Sequence, residues 1–491
     1  MNLANLLEPI KKINHALHYL KIEDISINSK KVMPNTLFVA IAGATADGHD
    51  YIEEAIRNGA TAIIGEKDIE ELAIQSLEDE KYVEGMVENR ELSIPYIQVE
   101  NSRKVLANIA CQFYGHPSKK KTVIGITGTN GKTTTSFMLK KILEDAGYKC
   151  TIFSSICNEV NGKVKASINT TPDSLELQKN MARSNDDFII IEVSSHGISQ
   201  YRIEGIEFDY CLFTNLDHDH LDYHRDMEEY FNVKTLLFQQ LKPTGKAIIN
   251  VLDSWGKNLS EQLIANGKQI VQLGKDVKLT EHTSSSAILS FNRNQEEVLH
   301  LKILGKHNIF NACMALLTAQ QLAIPTKKIL QSLSEFSGVP GRFEMVSHPK
   351  GAKIVIDYAH TQGAFSHCLQ TIREQGAKRI FHIFGFRGNR DQRKRQPMLE
   401  ISKDLCDVTL LTLDDLNGIP KESMEQTLYD LHDKVELDRT LAIKQVLEKV
   451  EEGDWVCITG KGHEEYKEQF YYPTSTDIET VNFFTKQGTK N

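Results

Sequence analysis

Short apolar runs alternate with amphipathic segments along most of the chain. In residues 1–118, "TLFVAIAG" and "IPYIQVE" predict buried strands, and "HDYIEEAIRNGATAIIG" predicts a helix followed by a strand. The first twenty residues predict an amphipathic helix, and "SRKVLANIACQFYG" predicts another, with Ser102 as its N-cap. Strands that alternate with helices in this way indicate an α/β fold.

The alternation continues through two further blocks. Residues 119–340 contain the strands "TVIGIT", "FIIIEVSS", "FDYCLFTNL" and "GKAIINVLD", with the helix "TTTSFMLKKILEDAG" after the first. Residues 341–491 contain the strands "KIVIDYAH", "RIFHIFG", "DVTLLTL" and "DWVCITGKGHE" and the helix "LDRTLAIKQVLEKV". Gly- and Pro-containing segments separate the blocks. We predict three domains: an N-terminal one, a central one with a mainly parallel sheet, and a Rossmann-like C-terminal one.

Composition narrows the range of partners. The 491 residues carry a net charge of −9, which argues against nucleic acid, because binding its phosphates needs a basic surface. No run of about 18 apolar residues predicts a membrane span. The eight cysteines have no CxxC spacing and indicate reduced thiols. We expect a cytoplasmic protein that binds neither nucleic acid nor a membrane.

A glycine-rich loop, "GITGTNGKTTT", lies between a strand and a helix of the central block. The loop differs from the pattern G-x-x-x-x-G-K-[ST], because its first glycine, Gly125, lies one residue closer to the N-terminus than the pattern requires. Glycines let backbone N–H groups approach phosphate oxygens, and the helix N-terminus adds positive potential. Lys132 is then placed to meet the β- and γ-phosphates, and Thr133 to bind Mg²⁺. The alternative is a glycine-rich turn that only caps a helix.

Acidic residues and histidines follow the next strands. Glu192 ends "FIIIE", and "TNLDHDHLDYH" follows a later strand. The carboxyl ends of parallel strands face the ligand crevice, where a carboxylate beside a phosphate loop suits Mg²⁺. An ordinary strand-end carboxylate and a solvated acidic loop are the alternatives.

Further polar groups lie downstream. Asn308 and Asn311 share one helical face and are placed to reach a purine or ribose, unless Asn308 only caps its helix. Arg342 follows a tight turn, and Asp357 and His360 lie at a strand end. The segment "FGFRGNRDQRKRQPM" is rich in arginine, whose guanidinium matches carboxylate and phosphate, unless the segment is a solvated basic loop.

Ten ordered segments carry a family resemblance: "TGTNGKTTT", "NTTPD", "IEVSSHG", "TNLDHDHLDYH", "YFNVK", "GKHNIFNA", "PGRFE", "DYAHT", "GNRDQRKRQPM" and "GKGHEEY". Over most of its length the chain resembles the Mur ligases, closest to the MurE type. The resemblance implies three domains and an ATP- and Mg²⁺-dependent reaction of peptidoglycan precursor synthesis. ATP phosphorylates a carboxylate of UDP-N-acetylmuramoyl-L-alanyl-D-glutamate, and a free amino acid attacks the acyl phosphate. We expect the protein to act as a monomer.

The resemblance also implies roles for individual residues. For ATP it implies Gly128, Thr129, Asn130, Gly131, Lys132, Thr133, Thr134, Asn308, Arg342, Asp357 and His360. For metal it implies Thr133, Glu192, His220 and a carbamylated Lys234, and for catalysis Lys132, Glu192, His220 and Lys234. For the UDP-linked donor it implies Ser29, Thr170, Thr171, Ser195 and Arg202, and for the incoming amino acid Arg390, Gly460 and Glu464.

Two segments depart from the family pattern. Asn28, Ser29 and Lys30 replace an Asp-Ser-Arg near the uridine pocket, and lysine lacks the bidentate fork of arginine. "DDLNGIP" replaces the Asp-Asn-Pro-Arg of diaminopimelate-adding members, so no arginine aligns there. Asp414 and Asp415 instead favour a cationic acceptor such as lysine, unless both are solvated.

Three alternatives to a MurE-type ligase of peptidoglycan precursor synthesis remain open. One is a MurE paralogue with a changed acceptor or donor in another pathway. Another is a related ligase such as that of folylpolyglutamate synthesis, although "LFVAIAG" and "EVSSHG" favour a Mur ligase. The third is an ATP-binding switch that uses the loop without a donor or an acceptor.

Overall fold

The computed structural model describes residues 1–8, 19–43, 46–72, 77–79, 94–291 and 295–487. They form three sheets in chain order, each with helices packed on it, so the predicted α/β fold is confirmed. None of the helices within these ranges is long and apolar enough to cross a membrane.

The first sheet has five parallel strands in the order β1-β2-β3-β5-β4. Its strands are β1 (Asp24–Ser26), β2 (Thr36–Val39), β3 (Ala60–Gly65), β4 (Leu77–Asp79) and β5 (Ile94–Gln98). Its helices are α1 (Leu3–Leu7), α2 (Ile52–Arg57), α3 (Ile69–Leu72) and α4 (Ser102–Phe113). Part of the helix predicted for the first twenty residues, 9–18, lies outside the described residues.

The predicted N-cap of α4 is wrong by one residue. The Asn101 side chain accepts the N–H of Lys104 at 2.8 Å, and Asn101 has the extended backbone of a cap. Ser102 is already helical, and its N–H and hydroxyl both donate to Glu66 at 2.7 Å. Asparagine and serine cap helices equally well, so this tertiary contact with Glu66 decided between them.

The central sheet has eleven strands in the order β16-β15-β14-β13-β12-β11-β6-β10-β7-β8-β9. They are β6 (Thr122–Thr127), β7 (Cys150–Phe153), β8 (Cys157–Val160), β9 (Lys163–Ala166), β10 (Phe188–Glu192), β11 (Phe208–Phe213), β12 (Leu241–Asn250), β13 (Gln269–Leu273), β14 (Val277–His282), β15 (Ser286–Phe291) and β16 (Gln295–His300). Its helices are α5 (Lys132–Asp145), α6 (Ser174–Arg183), α7 (Ser195–Ser199), α8 (Met227–Thr235), α9 (Ser254–Ala265), α10 (Lys306–Gln321) and α11 (Thr326–Glu335). The middle is parallel, as predicted, and the antiparallel strands at both edges had no counterpart in the sequence analysis.

Strand β6 is buried on both faces. Ile124 and Ile126 pack with α5 and α10 on one side, and Val123 packs with the side of the sheet that α8 covers. Burial on both faces explains why "TVIGIT" reads as a continuous apolar run. Because β6 pairs with β10 and β11, the carboxyl ends of all three strands meet at the glycine-rich loop.

The third sheet has the order β17-β18-β21-β19-β20, with β17 antiparallel and the rest parallel. Its strands are β17 (Glu344–Ser347), β18 (Lys353–Asp357), β19 (Ile380–Phe384), β20 (Val408–Leu411) and β21 (Trp455–Thr459). Its helices are α12 (Gln362–Glu374), α13 (Arg395–Leu405), α14 (Lys421–Leu431), α15 (Arg439–Lys449) and α16 (Asp477–Gln487). Residues that follow β18 and β19, such as His360 and Lys394, reach Asp219 of the central domain.

Candidate active site

The loop after β6 requires glycine at two positions. Gly128 and Gly131 have φ of +145° and +86°, conformations that disfavour other residues. A Cβ on Gly128 would lie 2.0 Å from Thr214 Oγ1, and one on Gly131 would lie 2.2 Å from Asn311 Oδ1. Asn215 fixes the loop, because its Oδ1 accepts the backbone N–H of Asn130 and its carbonyl accepts that of Thr129. The loop is therefore preshaped beside the start of α5.

Lys132 is the first residue of α5, and its ammonium turns back over the loop. Nζ donates to the carbonyls of Gly128 and Thr129, each at 2.9 Å. Within the described ranges no carboxylate is close enough to form an ion pair with it, and burial lowers its pKa. A half-buried cation held by carbonyls at a helix N-terminus has the charge and position to bind phosphate.

Thr133 and Glu192 form an oxygen-rich cluster beside this lysine. Thr133 Oγ1 donates to Glu192 Oε2 at 3.0 Å and lies 2.9 Å from Ser155 Oγ. Glu192 is fully buried, and burial raises its pKa. Arg342 Nη2 reaches the hydroxyls of Thr133 and Ser155 at 3.4 and 3.3 Å from the C-terminal block. Ser155 has no motif of its own in the sequence and was not predicted as a site residue.

A buried carboxylate, Asp219, joins the central and C-terminal domains. His220 Nε2 and His360 Nε2 lie 3.4 and 3.3 Å from its Oδ2, and Lys394 Nζ lies 3.3 Å from its Oδ1. Burial opposes its charge, but His220, Lys394 and His360 hold its pKa well below the usual value. Burial lowers the pKa of His220 to about 3. Asp219 belongs to the acidic segment "TNLDHDHLDYH" but was not itself predicted as a site residue.

Lys234 is buried, unlike a helix-surface lysine. It is 1% exposed, and its Nζ donates to the Gly128 carbonyl at 3.0 Å and lies 4.5 Å from the Tyr230 ring centroid. Lys132 donates to the same carbonyl. Burial, and then the charge of Lys132, lower the pKa of Lys234 well below the usual value. The structure therefore holds a buried primary amine directly beneath the loop.

A cavity of about 450 Å³ lies between the glycine-rich loop, α10 and the C-terminal domain. Asn308, Asn311, Asp357 and His360 line it, as do Asn130, Gly131, Thr134 and Arg342. The cap of α10 is Gly305, and Asn308 instead donates to the Leu304 carbonyl at 2.7 Å. The capping alternative for Asn308 is therefore wrong, and both asparagines border the cavity.

A second cavity, of about 300 Å³, contains most of the loop together with Thr170, Arg202, Ser194 and His196. Thr171 is completely buried, and its hydroxyl donates to the Glu192 carbonyl at 2.8 Å. Arg202 donates to the Thr171 carbonyl at 2.7 Å. Thr171 thus supports the wall of the second cavity, whereas Thr170 and Arg202 line the cavity itself.

Two residues that were predicted to bind the UDP-linked donor do not line this cavity. Ser195 is 1% exposed, and its hydroxyl has no hydrogen-bond partner among the described residues. Ser29 lies in the first domain, where its hydroxyl donates to the Glu54 carboxylate. The structure does not bring Ser29 together with the other residues predicted to bind the UDP-linked donor.

A third cavity, of about 80 Å³, lies at the ends of β19 and β20, where Arg390 and Asp414 line it. Gly460, with φ of +105°, approaches Asp414 so closely that a Cβ would lie 2.8 Å from its Oδ2. Glu464 pairs with Arg387 at 2.5 Å. The basic segment that contains Arg387 was noted from the sequence, but Arg387 itself was not assigned to the site.

Neither acid of the "DDLNGIP" segment is a free, solvated carboxylate. Asp415 is buried and pairs with Lys461 at 2.5 Å and Lys467 at 3.0 Å. Asp414 is also buried, with its Oδ1 3.8 Å from Arg387 Nε. Cations of the chain itself already face both carboxylates, and the preference for a cationic acceptor stays a prediction.

The three cavities converge. Tyr358 and His360 line all of them, and Arg390 lines both the second and the third. No group of three or more His, Cys, Asp and Glu side chains in the described ranges forms a metal cage. Thr133 and Glu192 nevertheless suit Mg²⁺, which takes few protein ligands when phosphates supply the others.

Comparison with known proteins agrees with this arrangement. Family descriptions match in order: "Mur ligase family, catalytic domain" over residues 21–114, "Mur ligase middle domain" over 126–319, and "Mur ligase, glutamate ligase domain" over 341–462. The UDP-N-acetylmuramoyl-L-alanyl-D-glutamate–2,6-diaminopimelate ligase of Clostridium botulinum is 37% identical over 481 residues, 95% of each chain. The chain belongs to the Mur ligase family.

Other Mur ligases extend the comparison. The ligase of the same name from Fusobacterium nucleatum is 36% identical over 91% of this chain and 90% of its own. A solved structure of a diaminopimelate ligase covers 100% of both chains with a TM-score of 0.66 at 23% identity, which shows the shared fold. The enzyme class predicted from the sequence, an ATP-dependent ligase, is confirmed.

Proposed function

We propose that the protein joins an amino acid to UDP-N-acetylmuramoyl-L-alanyl-D-glutamate through an acyl phosphate, as a MurE-type ligase. The convergence of the three cavities at Tyr358 and His360 carries the proposal. A nucleotide, a donor carboxylate and an acceptor amine need such a meeting point, because the reaction depends on their alignment.

Each domain has a part in this scheme. Residues 1–118 bind the UDP end of the donor, residues 119–340 bind ATP, and residues 341–491 bind the incoming amino acid. We infer that the enzyme acts as a monomer. We place the enzyme in the cytoplasm, with no nucleic-acid or membrane partner.

The residues around the loop position the reacting groups. ATP, when bound with Mg²⁺, supplies the phosphoryl group that activates the donor carboxylate. Lys132 and the loop N–H groups bind phosphate oxygens, and Thr133 and Glu192 hold the cation. Arg342 adds a positive charge from the C-terminal domain, within reach of Thr133. Thr170 and Arg202 orient the donor in the second cavity.

Lys234 is proposed to act as a carbamate. Its neutral amine attacks the carbon of CO₂ with its nitrogen lone pair and releases one proton, which leaves a carbamate anion. The burial of this amine beside Lys132 supports the assignment, because a neutral nitrogen is required for attack. The carbamate oxygens and His220 would hold a second Mg²⁺, and the modification would replace a positive charge that would repel this cation.

A substrate panel tests the proposal. The protein is incubated with ATP, Mg²⁺ and the UDP-linked dipeptide, with or without meso-diaminopimelate, L-lysine or L-ornithine. Release of ADP and a product of the expected mass should require both the donor and an amine. Donor-independent hydrolysis would instead indicate a switch, and no product with any amine would indicate a paralogue with another donor. Lys257→Met, which changes an exposed residue of α9 that lines none of the three cavities, is the control variant.

A further inference from the structure

Tyr358 contacts two arginines that line different cavities. It directly follows β18, is half-buried and lines all three cavities. The guanidinium carbon of Arg342, which lines the first two cavities, lies 4.2 Å from the ring centroid of Tyr358. That of Arg387, which lines the third cavity, lies 5.2 Å from the same centroid. Both distances are within the range of about 6 Å in which an aromatic ring attracts a cation.

The two arginines have hydrogen bonds at one end only. Arg342 Nη2 reaches the Thr133 hydroxyl at 3.4 Å, and Arg387 Nη2 donates to the Gly460 carbonyl at 2.9 Å and to Glu464 at 2.5 Å. In both arginines Nε is buried and has no hydrogen-bond partner among the residues that the structure describes. Because a buried N–H without a partner destabilises its position, the aromatic ring supplies an attraction that each guanidinium otherwise lacks.

The backbone around Tyr358 is packed too tightly for the ring to shift freely. Gly341 and Gly462 have φ of +66° and +55°, which favour glycine. A Cβ on Gly341 would lie 2.1 Å from the backbone nitrogen of His463, and one on Gly462 would lie 3.0 Å from Tyr358 Cβ. The two turns that contain these glycines therefore contact each other beside Tyr358. A ring on such a fixed backbone can determine where the two guanidinium groups lie.

We propose that Tyr358 is a positioning residue that holds Arg342 in place at the nucleotide cavity and Arg387 in place at the third cavity. The proposal rests on the ligase function proposed above, in which these cavities bind ATP and the incoming amino acid. The ring acts on both arginines through cation–π attraction. The hydroxyl acts on Arg387 alone, by accepting a hydrogen bond from its Nη1 at 3.3 Å. Substitutions can therefore separate the two contributions.

Two variants of Tyr358 make the test, with the KM values measured for ATP, for the UDP-linked dipeptide and for the amine that gives most product in the substrate panel. Tyr358→Phe keeps the ring and should raise the KM for the amine by about 5-fold, with the KM for ATP unchanged. Tyr358→Leu removes the ring and should raise both by about 5- to 30-fold. The KM for the dipeptide should stay constant in both variants, because none of the contacts of the Tyr358 ring in the described ranges involves Thr170 or Arg202.

Binding of a non-hydrolysable ATP analogue, followed by calorimetry, tests the nucleotide side without turnover. The affinity should fall by about 5-fold or more in Tyr358→Leu and should match that of the wild type in Tyr358→Phe. This measurement keeps its meaning even if the protein were to use another donor or acceptor.

Two tyrosines that line none of the three cavities supply the controls. Tyr210→Phe removes a hydroxyl from β11 and Tyr429→Leu removes an exposed ring from α14, and both should leave every KM unchanged. A Tyr358→Phe variant whose KM for ATP rises as much as its KM for the amine would overturn the proposal. So would unchanged KM values in Tyr358→Leu, or a fall in kcat alone in both variants, which would mark a purely structural tyrosine. Release of ADP by the wild type without any donor would instead refute the ligase function itself.

Discussion

Replacing Lys234 with methionine should separate activity from stability. The side chain is 1% exposed, its Nζ touches the Gly128 carbonyl, and no carboxylate in the described ranges pairs with it. Methionine has a similar length and needs neither a hydrogen bond nor a charge. The variant should therefore pack well and still lack the nitrogen that is proposed to carry the carbamate.

The sign of the stability change follows from the lowered pKa of Lys234. Between that lowered pKa and the ordinary value of 10.5, the unfolded state binds a proton that the folded state does not. The stability of the wild-type protein therefore rises with pH in this range, by about 1.4 kcal/mol per pH unit from this group. Lys234→Met lacks this dependence, so its advantage should be largest near neutral pH and should shrink toward pH 10.5.

The activity of Lys234→Met should fall, although its stability near neutral pH should rise. Loss of one preorganised group that acts on a developing charge typically costs about 100- to 1000-fold in kcat. We expect Lys234→Met to lose at least about 100-fold in donor-dependent ADP release, and added bicarbonate should not restore it. Melting temperatures in CO₂-free buffer across the pH range give the stability side of the test. Added bicarbonate with Mg²⁺ should raise the melting temperature of the wild type only.

Two results would refute this reasoning. Full activity in Lys234→Met would remove the carbamate, and a variant less stable than wild type at every pH would mean that the amine is held charged. Lys257→Met serves as the control, because Lys257 is exposed on α9 and should alter neither property.

Three further predictions concern other parts of the molecule. Lys132→Met should lower ADP release by about 100-fold or more while calorimetry still detects donor binding, and an unchanged rate would exclude the loop from the reaction. Arg439→Met should cost about 3–5 kcal/mol in denaturant unfolding, because it strands the fully buried Asp477, whereas the double variant with Asp477→Leu should recover most of the loss; equal stabilities for both variants would contradict this. Burial opposes the charge of Asp47, but a hydrogen bond from Lys67 contributes to lowering its pKa, so this carboxylate stabilises the fold above pH 3.8 and less as the pH falls through its lowered pKa. Asp47→Asn should therefore be less stable than wild type near pH 7 and approach it in strong acid, and a pH-independent difference in melting temperature would argue against the ion pair.

The hydrophobic pattern along the chain predicted the fold, because strands at the centre of the large sheet are buried on both faces. Strands such as β6 and β10 read as uninterrupted apolar runs, and glycine fits the positive φ of Gly128 and Gly131. Several antiparallel strands at the edges of the central sheet are mostly exposed and lack a regular alternation of buried and exposed residues, and β9 is exposed at all four positions, so periodicity did not reveal them. The cap of α4 was missed for a related reason, since a contact with Glu66 chose between two good capping residues.

The sequence by itself determined the family, the three-block order and most residues around the glycine-rich loop. These depend on short ordered motifs, in which neighbours along the chain are also neighbours in space. Only the tertiary structure decided which charged side chains pair with one another. Asp414 and Asp415 suggest a cation site in the sequence, but Arg387 and Lys461 approach them from other strand ends. Electrostatic pairing depends on distance through space, and the ends of β19, β20 and β21 meet only when the sheet forms.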